Sequence, residues 1–366
     1  MTLAIHNLLN DKTRLLLSVA GVALAVMLIL ILNGFLTGMN RQITSYLDHS
    51  PGALLVAQQG VENLLGATSL LPQNAADLAS RTQGVEEVVP ILSQFVILDL
   101  HDKKAPAYMV GYNPEVGGGP EKLGAGREPE TDREVIFDRV LAERHDLGLG
   151  KRISILGKEF EIVGLSEETT SWMTSFFFIR KSAAEQLVRI PGATSFLLVT
   201  VEKSAEPESV ASALGRAPGV DAQLKSKVAA NDLTLFAKVF SAPLRMMVAI
   251  AFLVGSLVVG MVIYTATVER QREYGVLKAI GAGNRVLYQV VTVQALAASL
   301  AGSGLGVLLA AAAGRWIMAA RPQFLVVLAP KDTAFAIAAG LLMALLAALF
   351  PARLVAGLAP AEVFRK

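Results

Sequence analysis

Four long stretches of the sequence contain no charged side chain, and they constrain the fold more than any other feature. They cover residues 15–38, 246–268, 286–314 and 333–352. Each matches or exceeds the about 20 apolar residues that a helix needs to cross a hydrocarbon layer of about 30 Å. We therefore predict four transmembrane helices. Helices buried in a large soluble core are the alternative, but such helices seldom lack charge over this length.

A second alternative concerns the first stretch alone. Lys12 and Arg14 precede it, as basic residues precede the apolar part of a cleaved signal peptide. The stretch is longer than the about 7–15 apolar residues of a signal peptide, so we expect an uncleaved membrane anchor.

The composition is typical of a membrane protein that also has a sizeable polar part. Hydrophobic residues make up 53% of the 366 positions and charged residues 17%, whereas an average soluble domain has about 25% charged residues. The net charge of +2 is too small for a nucleic-acid-binding protein, which concentrates basic residues on one face. The absence of cysteine excludes disulfides, thiolate metal sites and thiol nucleophiles.

The basic residues near the apolar stretches predict the orientation, because short cytoplasmic segments of membrane proteins are enriched in lysine and arginine. Such residues are concentrated in segments 1–14, 269–285 and 353–366, which we therefore place in the cytoplasm. The loop 315–332 also carries basic residues, which weakens the contrast, but four spans agree with two cytoplasmic termini. Residues 41–240 and the loop 315–332 are then extracytoplasmic.

Residues 41–240 have the pattern of a folded α+β domain. Short runs rich in β-branched and aromatic residues predict strands, which cover residues 53–57, 85–100, 134–137, 152–156, 160–163 and 195–201. We predict a helix at 75–81 and a hairpin turn at Gly157-Lys158. Five glycines and two prolines predict a loop at 113–126.

The ends of this domain share a short echo. Residues 81–85 resemble residues 216–220, because each segment starts with arginine, ends with Gly-Val and follows a helical pattern rich in alanine and leucine. The echo predicts two similar helix–strand units that flank a β-rich insert.

The sequence lacks an energy source of its own. Gly150-Lys151 and Gly157-Lys158 come nearest to a phosphate-binding P-loop, but each lacks the upstream glycine and the following Ser or Thr. Ion-coupled carriers place ionisable groups in the membrane, and the four apolar stretches have none. We therefore expect ATP to bind to a separate ATPase chain, and we expect no cofactor, metal or catalytic residue here. The histidines lack metal-site spacing; they are His6, His49, His101 and His145.

Two further patterns each leave two interpretations open. In segment 269–285, Tyr274, Leu277 and Lys278 share one helical face, which fits either a turn at the membrane surface or a knob that enters a groove on a partner. A stripe of small residues in the third apolar stretch fits either a dimer contact or a helix contact within one subunit. The stripe consists of Ala298, Gly302, Gly306, Ala310 and Gly314.

Residues 269–281, with the sequence ERQREYGVLKAIG, resemble the inner loop of FtsX-like permeases. This superfamily of ABC transporter subunits includes the MacB, LolC/LolE and HrtB-type permeases. Residues 350–362, with FPAR and APAE, resemble the closing motif of the family, and the resemblance extends over essentially the whole chain. In the extracytoplasmic part it rests on residues 126–138 and 150–164. One departure is Val355-Ala356-Gly357-Leu358, where the family usually has A-A-x-x-D.

The resemblance implies a mechanotransmission permease with four membrane helices, one before and three after a large extracytoplasmic α+β domain. Two copies would pair in the inner (cytoplasmic) membrane, and ATP hydrolysis on a cytoplasmic ATPase would drive export or extraction of a hydrophobic or amphipathic substrate. It implies that the ATPase docks on Glu269, Arg270, Arg272, Glu273, Tyr274, Gly275, Leu277 and Lys278. A membrane-fusion adaptor is a further partner that the resemblance suggests.

Two rival functions stay open at this stage. The chain would act as a signalling lever if movement of its outer domain activated an extracytoplasmic partner and nothing were transported. It would be a stand-alone membrane-anchored binding domain if no ATPase joined it. The sequence also leaves the substrate open among haem, lipid, lipoprotein, peptide and drug.

Overall fold

A computed structural model describes residues 12–100, 103–170, 174–269, 271–281 and 283–356. The chain divides into two compact units. A helical unit contains the chain up to Gly38, Phe240–Arg321 and the chain from Leu325, and a mixed α/β unit contains Met39–Val239 with Pro322–Phe324. The helices are α1 (Lys12–His49), α2 (Ala75–Ser80), α3 (Arg139–Arg144), α4 (Lys181–Val188), α5 (Pro207–Leu214), α6 (Lys225–Glu269), α7 (Gln271–Ala279), α8 (Asn284–Ala320) and α9 (Pro330–Ala356).

The four predicted membrane helices are present as α1, α6, α8 and α9, each long and apolar enough to cross a bilayer. Their bounds differ from those of the apolar stretches. The helix α6 has 45 residues, about 68 Å at 1.5 Å per residue, so less than half of it fits within the hydrocarbon. The helices run on because many residues beyond the apolar stretches, such as Lys, Arg and Gln, have good helix propensity, and α6 continues even through Pro243. The connection between α8 and α9 is accordingly shorter than the predicted loop 315–332.

The stripe of small residues on α8 packs against α1 of the same chain. A Cβ atom on Gly302 would lie 2.7 Å from the Val22 Cβ atom, and one on Gly306 would lie 2.8 Å from the Ala23 carbonyl oxygen. Ala298, Ala310 and Gly314 are also buried. The backbones of the two helices approach this closely only because side chains are absent at the contact. The observed contact favours the interpretation of the stripe as a helix contact within one subunit.

Glycine-to-alanine substitutions along α8 test this contact. Gly306→Ala forces α1 outward and should lower the free energy of unfolding by ~1–3 kcal/mol, the usual cost of overpacking. Gly304 lies on the same helix, and a Cβ atom added there would meet no other atom within 4 Å, so Gly304→Ala should be neutral or should stabilise the helix by up to ~1 kcal/mol. Thermal unfolding of the purified protein in detergent measures both. Equal midpoints for the two variants would contradict the close α1–α8 contact.

The α/β unit is built on one mixed sheet. Its strands are β1 (Leu54–Gln58), β2 (Val85–Leu100), β3 (Lys103–Tyr112), β4 (Lys122–Gly126), β5 (Glu134–Asp138), β6 (Arg152–Ile155), β7 (Lys158–Glu167), β8 (Ser175–Arg180), β9 (Phe196–Val201) and β10 (Val220–Leu224). The strand order is β10-β1-β9-β2-β3-β8-β5-β7-β4, with β6 also paired to β7. The 16-residue strand β2 joins the two parts of the sheet, because residues 85–91 pair with β9 and residues 92–100 pair with β3.

Hydrophobic side chains cover both faces of this sheet. The run Phe176-Phe177-Phe178 shows the alternation: Phe177 lies in one buried cluster, and Phe176 and Phe178 lie in the cluster on the opposite face. The second cluster also contains Tyr46 of α1 and Val228 of α6. The helices α2 and α5 cover the part of the sheet formed by β10, β1 and β9.

The structure confirms the predicted strands and the hairpin, whose turn lies at Leu156-Gly157, one residue earlier than predicted, because Lys158 already pairs with Ile155. Leu156 and Gly157 have φ angles of 48° and 80°, as a two-residue type I′ turn between β6 and β7 requires. The predicted loop 113–126 is wrong at its end, because Lys122–Gly126 form β4. That strand is exposed and rich in glycine, and it exists because the edge of β7 supplies backbone partners and the Glu167 carboxylate lies 2.6 Å from the Lys122 ammonium.

The echo at residues 81–85 and 216–220 corresponds to the same turn in both places. The Val85 amide donates to the Thr82 carbonyl at 3.2 Å, and the Val220 amide donates to the Ala217 carbonyl at 3.3 Å. Gly84 and Gly219, which precede these valines, have φ angles of 87° and 74°. Each turn joins a short helix to a strand, so the two predicted helix–strand units are confirmed.

Candidate coupling site

The helix α7 lies between the apolar helices α6 and α8, where the sequence predicts the partner-binding segment. Glu273 lies in its first turn and Lys278 in its last. A negative charge near the start of a helix and a positive charge near its end both interact favourably with the helix dipole. Gly281 ends it with a φ of 100°, a left-handed conformation that glycine adopts without strain, and its amide donates to the Lys278 carbonyl at 3.1 Å. Local chemistry therefore fixes both ends of this nine-residue helix.

One side of α7 is buried in the helical unit. Tyr274 is only 4% exposed and Gly275 is buried as well. The Tyr274 ring belongs to a cluster with residues of α8 and α9, namely Leu287, Val291, Ala295, Ala344, Ala348 and Ala352. Tyr274 was predicted to contact a partner, and the structure instead places it inside the chain, because its large ring removes much apolar surface from water there. It fixes α7 to the two helices that follow.

The other side of α7 is exposed and carries both charge and apolar surface. Arg272 and Glu273 are exposed, and Val276 and Ile280 expose 43% and 77% of their surface. Residues 272 and 276 lie one turn apart on α7, and Ile280, the first residue after the helix, continues the same side because its amide donates to the Val276 carbonyl at 3.1 Å. Val276 and Ile280 were not predicted as contact residues from the sequence. Their spacing could have identified them, because it places both on the side opposite Tyr274. We call Arg272, Glu273, Val276 and Ile280 the outer face of α7.

The remaining predicted contact residues are only partly described. Glu269 is exposed at the end of α6, and Lys278 is half-buried. Arg270 lies outside the described residues, as does the side chain of Leu277. The structure thus brings Arg272 and Glu273 together on the outer face and separates Tyr274 and Gly275 from them.

In the described part of the chain, no three His, Asp or Glu side chains lie close enough together to hold a metal ion. His49 illustrates this: its Nδ1 atom lies 2.9 Å from the Ser45 carbonyl oxygen and 3.2 Å from the Glu121 carboxylate, partners typical of a surface histidine.

The motif at 126–138 has a structural role. The Arg127 guanidinium donates to both carboxylate oxygens of Glu134, at 2.8 and 2.9 Å, and the amides of Glu130 and Thr131 donate to the same carboxylate. The hydrogen bonds from Arg127 are the main cause that lowers the pKa of Glu134 to about 2. This pair closes the loop before β5, so the motif stabilises the domain.

Comparisons with known proteins bear on both units. Residues 15–217 match the family model of the MacB-like periplasmic core domain, and residues 245–360 match that of the FtsX-like permease C-terminal region. An uncharacterized ABC transporter permease of Mycobacterium tuberculosis strain H37Rv is 24% identical over 84% of each chain. A Staphylococcus epidermidis protein, whose name designates it as HrtB, a permease protein of a hemin transport system, is 22% identical over 77% of this chain and 76% of its own length.

A solved structure shows a weaker similarity to this chain. The periplasmic region of MacB from Actinobacillus actinomycetemcomitans matches 50% of this chain and 92% of its own, with 15% identity and a TM-score of 0.38.

Removing the Tyr274 ring should detach α7 from the helical unit. Tyr274→Ala leaves a cavity that costs about 3 kcal/mol in a well-packed core, whereas Tyr274→Phe keeps the ring. We expect trypsin to cleave after Arg272 or Lys278 faster in the alanine variant, and the thermal midpoint to fall. Val276→Ala, a truncation on the exposed side, is the matched control and should leave cleavage unchanged. Similar cleavage of all variants would mean that Tyr274 does not hold α7 in place.

Proposed function

The chain belongs to the ABC transporter permeases that combine a MacB-like periplasmic core domain with an FtsX-like C-terminal region, and from this we propose that it is a mechanotransmission permease. In this proposal an ATPase on a separate chain binds and hydrolyses ATP, and this chain passes the resulting movement to its α/β unit. The task is the export or extraction of a hydrophobic or amphipathic substrate. The chain itself is not an enzyme and needs no cofactor.

The observation that carries the proposal is the two-sided character of α7. Its inner side is fixed to α8 and α9 through Tyr274, and its outer face presents Arg272, Glu273, Val276 and Ile280. A short helix that is firmly held on one side can transmit a push received on the other. A mixture of charged and apolar exposed side chains is the composition of a protein-contact surface.

The placement in the cell follows from the same proposal. The segment 269–285 and both termini lie in the cytoplasm, where the ATPase is, and residues 41–240 lie on the other side of the inner (cytoplasmic) membrane. The enrichment of Lys and Arg beside the apolar stretches supports this orientation. Two copies of the chain pair in the assembly, and a membrane-fusion adaptor is a further partner that would extend the export path.

An apolar groove supports a hydrophobic or amphipathic substrate. A cavity of about 500 Å³ lies between α1 and α6, and pockets of this size accommodate small organic ligands. Leu24, Leu28 and Leu32 of α1 and Ile250, Val254 and Val258 of α6 are among its lining residues. The described residues that line it are all uncharged, so the groove suits an acyl chain or another apolar group.

Charge reversal on the outer face should break the contact with the ATPase. The double variant Arg272→Glu/Glu273→Lys keeps the net charge of α7 but inverts its pattern, so a complementary surface would be met by repulsion. We expect the cognate ATPase to copurify with the wild type and not with this variant, while membrane insertion is unaffected. Arg285→Glu, at an exposed position in the same segment of the chain, is the matched control and should retain the ATPase.

Two results would overturn this assignment. Unchanged copurification of the double variant would remove α7 as the docking element. Failure of any ATPase to copurify with the wild type would favour the stand-alone binding domain.

Filling the groove should separate transport from ATP hydrolysis. Leu28→Trp narrows the groove between α1 and α6, so export by the reconstituted complex should fall while ATP hydrolysis continues. Leu308→Trp places the same ring on an exposed position of α8 outside the groove, and this control should export normally.

If substrates never stimulate the ATPase in liposomes and only an extracytoplasmic protein does, the signalling lever replaces the transporter.

A further inference from the structure

One turn of α6 is hydrogen-bonded to a loop of the α/β unit. Asp232 is fully buried, and its two carboxylate oxygens accept separate hydrogen bonds from the backbone amides of Leu64 and Leu65, at 3.2 and 3.1 Å. The adjacent Asn231 side chain donates to the Glu62 carbonyl at 2.8 Å. The carboxylate and the amide together bind three backbone groups of one loop, residues 59–70, which follows β1.

The sheet holds the same loop from another direction. The Tyr108 hydroxyl on β3 donates to the Leu64 carbonyl at 2.5 Å. At the other end of the loop, the Asp221 carboxylate on β10 accepts from the Gly60 amide at 2.7 Å. The loop is therefore a physical link between α6 and the strands, because its backbone is hydrogen-bonded to both.

The helix that carries Asp232 also carries the second apolar stretch. The helix α6 is continuous from Lys225 to Glu269, and Asp232 precedes Met246 by 14 positions, about 21 Å along the axis. Asp232 therefore lies outside the membrane-spanning part of α6. The Asp232 contact therefore adds a hydrogen-bonded connection, through the loop 59–70, to the direct packing of Val228 of α6 against the sheet.

Asp232 is a buried carboxylate, and none of the basic residues that the structure describes forms an ion pair with it. Burial raises its pKa to about 6, against the opposing effect of the two amide hydrogen bonds. Lys225 is a basic residue of the same helix. Its ammonium group does not pair with Asp232 but donates to the carbonyl oxygens of Ser50 and Pro51. Tyr108, which faces Asp232 from β3, has a pKa raised by its own burial and stays neutral, and Glu62 in the loop is exposed.

We propose that Asp232 is a proton-controlled latch between α6 and the loop 59–70, closed more firmly when the carboxyl is neutral and readier to open when it is charged. The sign follows from the linkage between protonation and opening. Opening exposes the carboxyl to water, where its pKa returns toward the ordinary value near 4, so the closed form binds the proton more tightly. The stability of the closed latch therefore falls as the pH rises from about 4 to about 6.

The consequence for transport rests on the function proposed above. At neutral pH the charged latch opens more often, and the loop 59–70 then follows α6 less closely. In an acidic exterior the neutral latch holds the loop to α6 more firmly. The outside pH would thereby set how closely this loop is coupled to the helix.

Hydrogen exchange of the intact protein in lipid nanodiscs tests the latch without any assay of transport. After correction for the intrinsic rate, peptides covering residues 61–70 should exchange roughly tenfold faster at pH 7.5 than at pH 5 in the wild type. Asp232→Asn has no titratable group there, and its exchange in this loop should not change with pH.

Two control variants keep the result decisive. Asn231→Ala removes a neighbouring hydrogen bond but no charge, so exchange should rise at both pH values and keep its pH ratio. Asp221→Asn removes the carboxylate at the other end of the loop and should also keep that ratio.

A pH-independent exchange rate of this loop in the wild type, or an unchanged pH ratio in Asp232→Asn, would overturn the latch. If Asp232→Asn fails to fold, the wild-type ratio together with Asn231→Ala decides the matter. Loss of the ATPase contact would refute the proposed function and leave this result untouched.

Discussion

The lack of charge over four long stretches governs the rest of the structure. In hydrocarbon every backbone amide and carbonyl must find a partner within the chain, so each stretch has to form a helix. Two of these helices, α1 and α6, also flank the inserted α/β unit in sequence, and both run beyond their apolar parts into residues of that unit. The connections at both ends of Met39–Val239 are thus helical, which suits a chain that transmits movement.

Within the helical unit, the size of the side chains decides which surfaces are used internally. The glycines of α8 allow α1 to approach closely, and the Tyr274 ring fills the space between α7, α8 and α9. What remains outside is a short face with Arg272, Glu273, Val276 and Ile280. In the proposed function, this exposed face of an anchored helix is the surface that receives the force from the ATPase.

Two carboxylates of the α/β unit show how environment sets chemical behaviour. Glu134 accepts a two-fold hydrogen bond from the Arg127 guanidinium, and its pKa falls to about 2. Asp232 accepts backbone amides and pairs with no cation of the described residues, so burial prevails and its pKa rises to about 6. The low pKa keeps the first charged well below neutral pH. The pKa of the second lies closer to neutral, which is the basis of the latch proposed here.

The sequence by itself determined the four helices, most strands of the domain and the place of the short helix α7, because each depends on local pattern: charge-free length, alternation, and glycine at turns. Tertiary structure alone decided which face of a helix is buried. The resemblance implied a partner contact for Tyr274, and the structure packs this ring against Leu287 and Ala348 within the chain. It also decided that the glycine stripe serves α1 and that Asp232 meets a loop about 168 residues earlier. Such pairings depend on distances between segments remote in the chain, which no local pattern records.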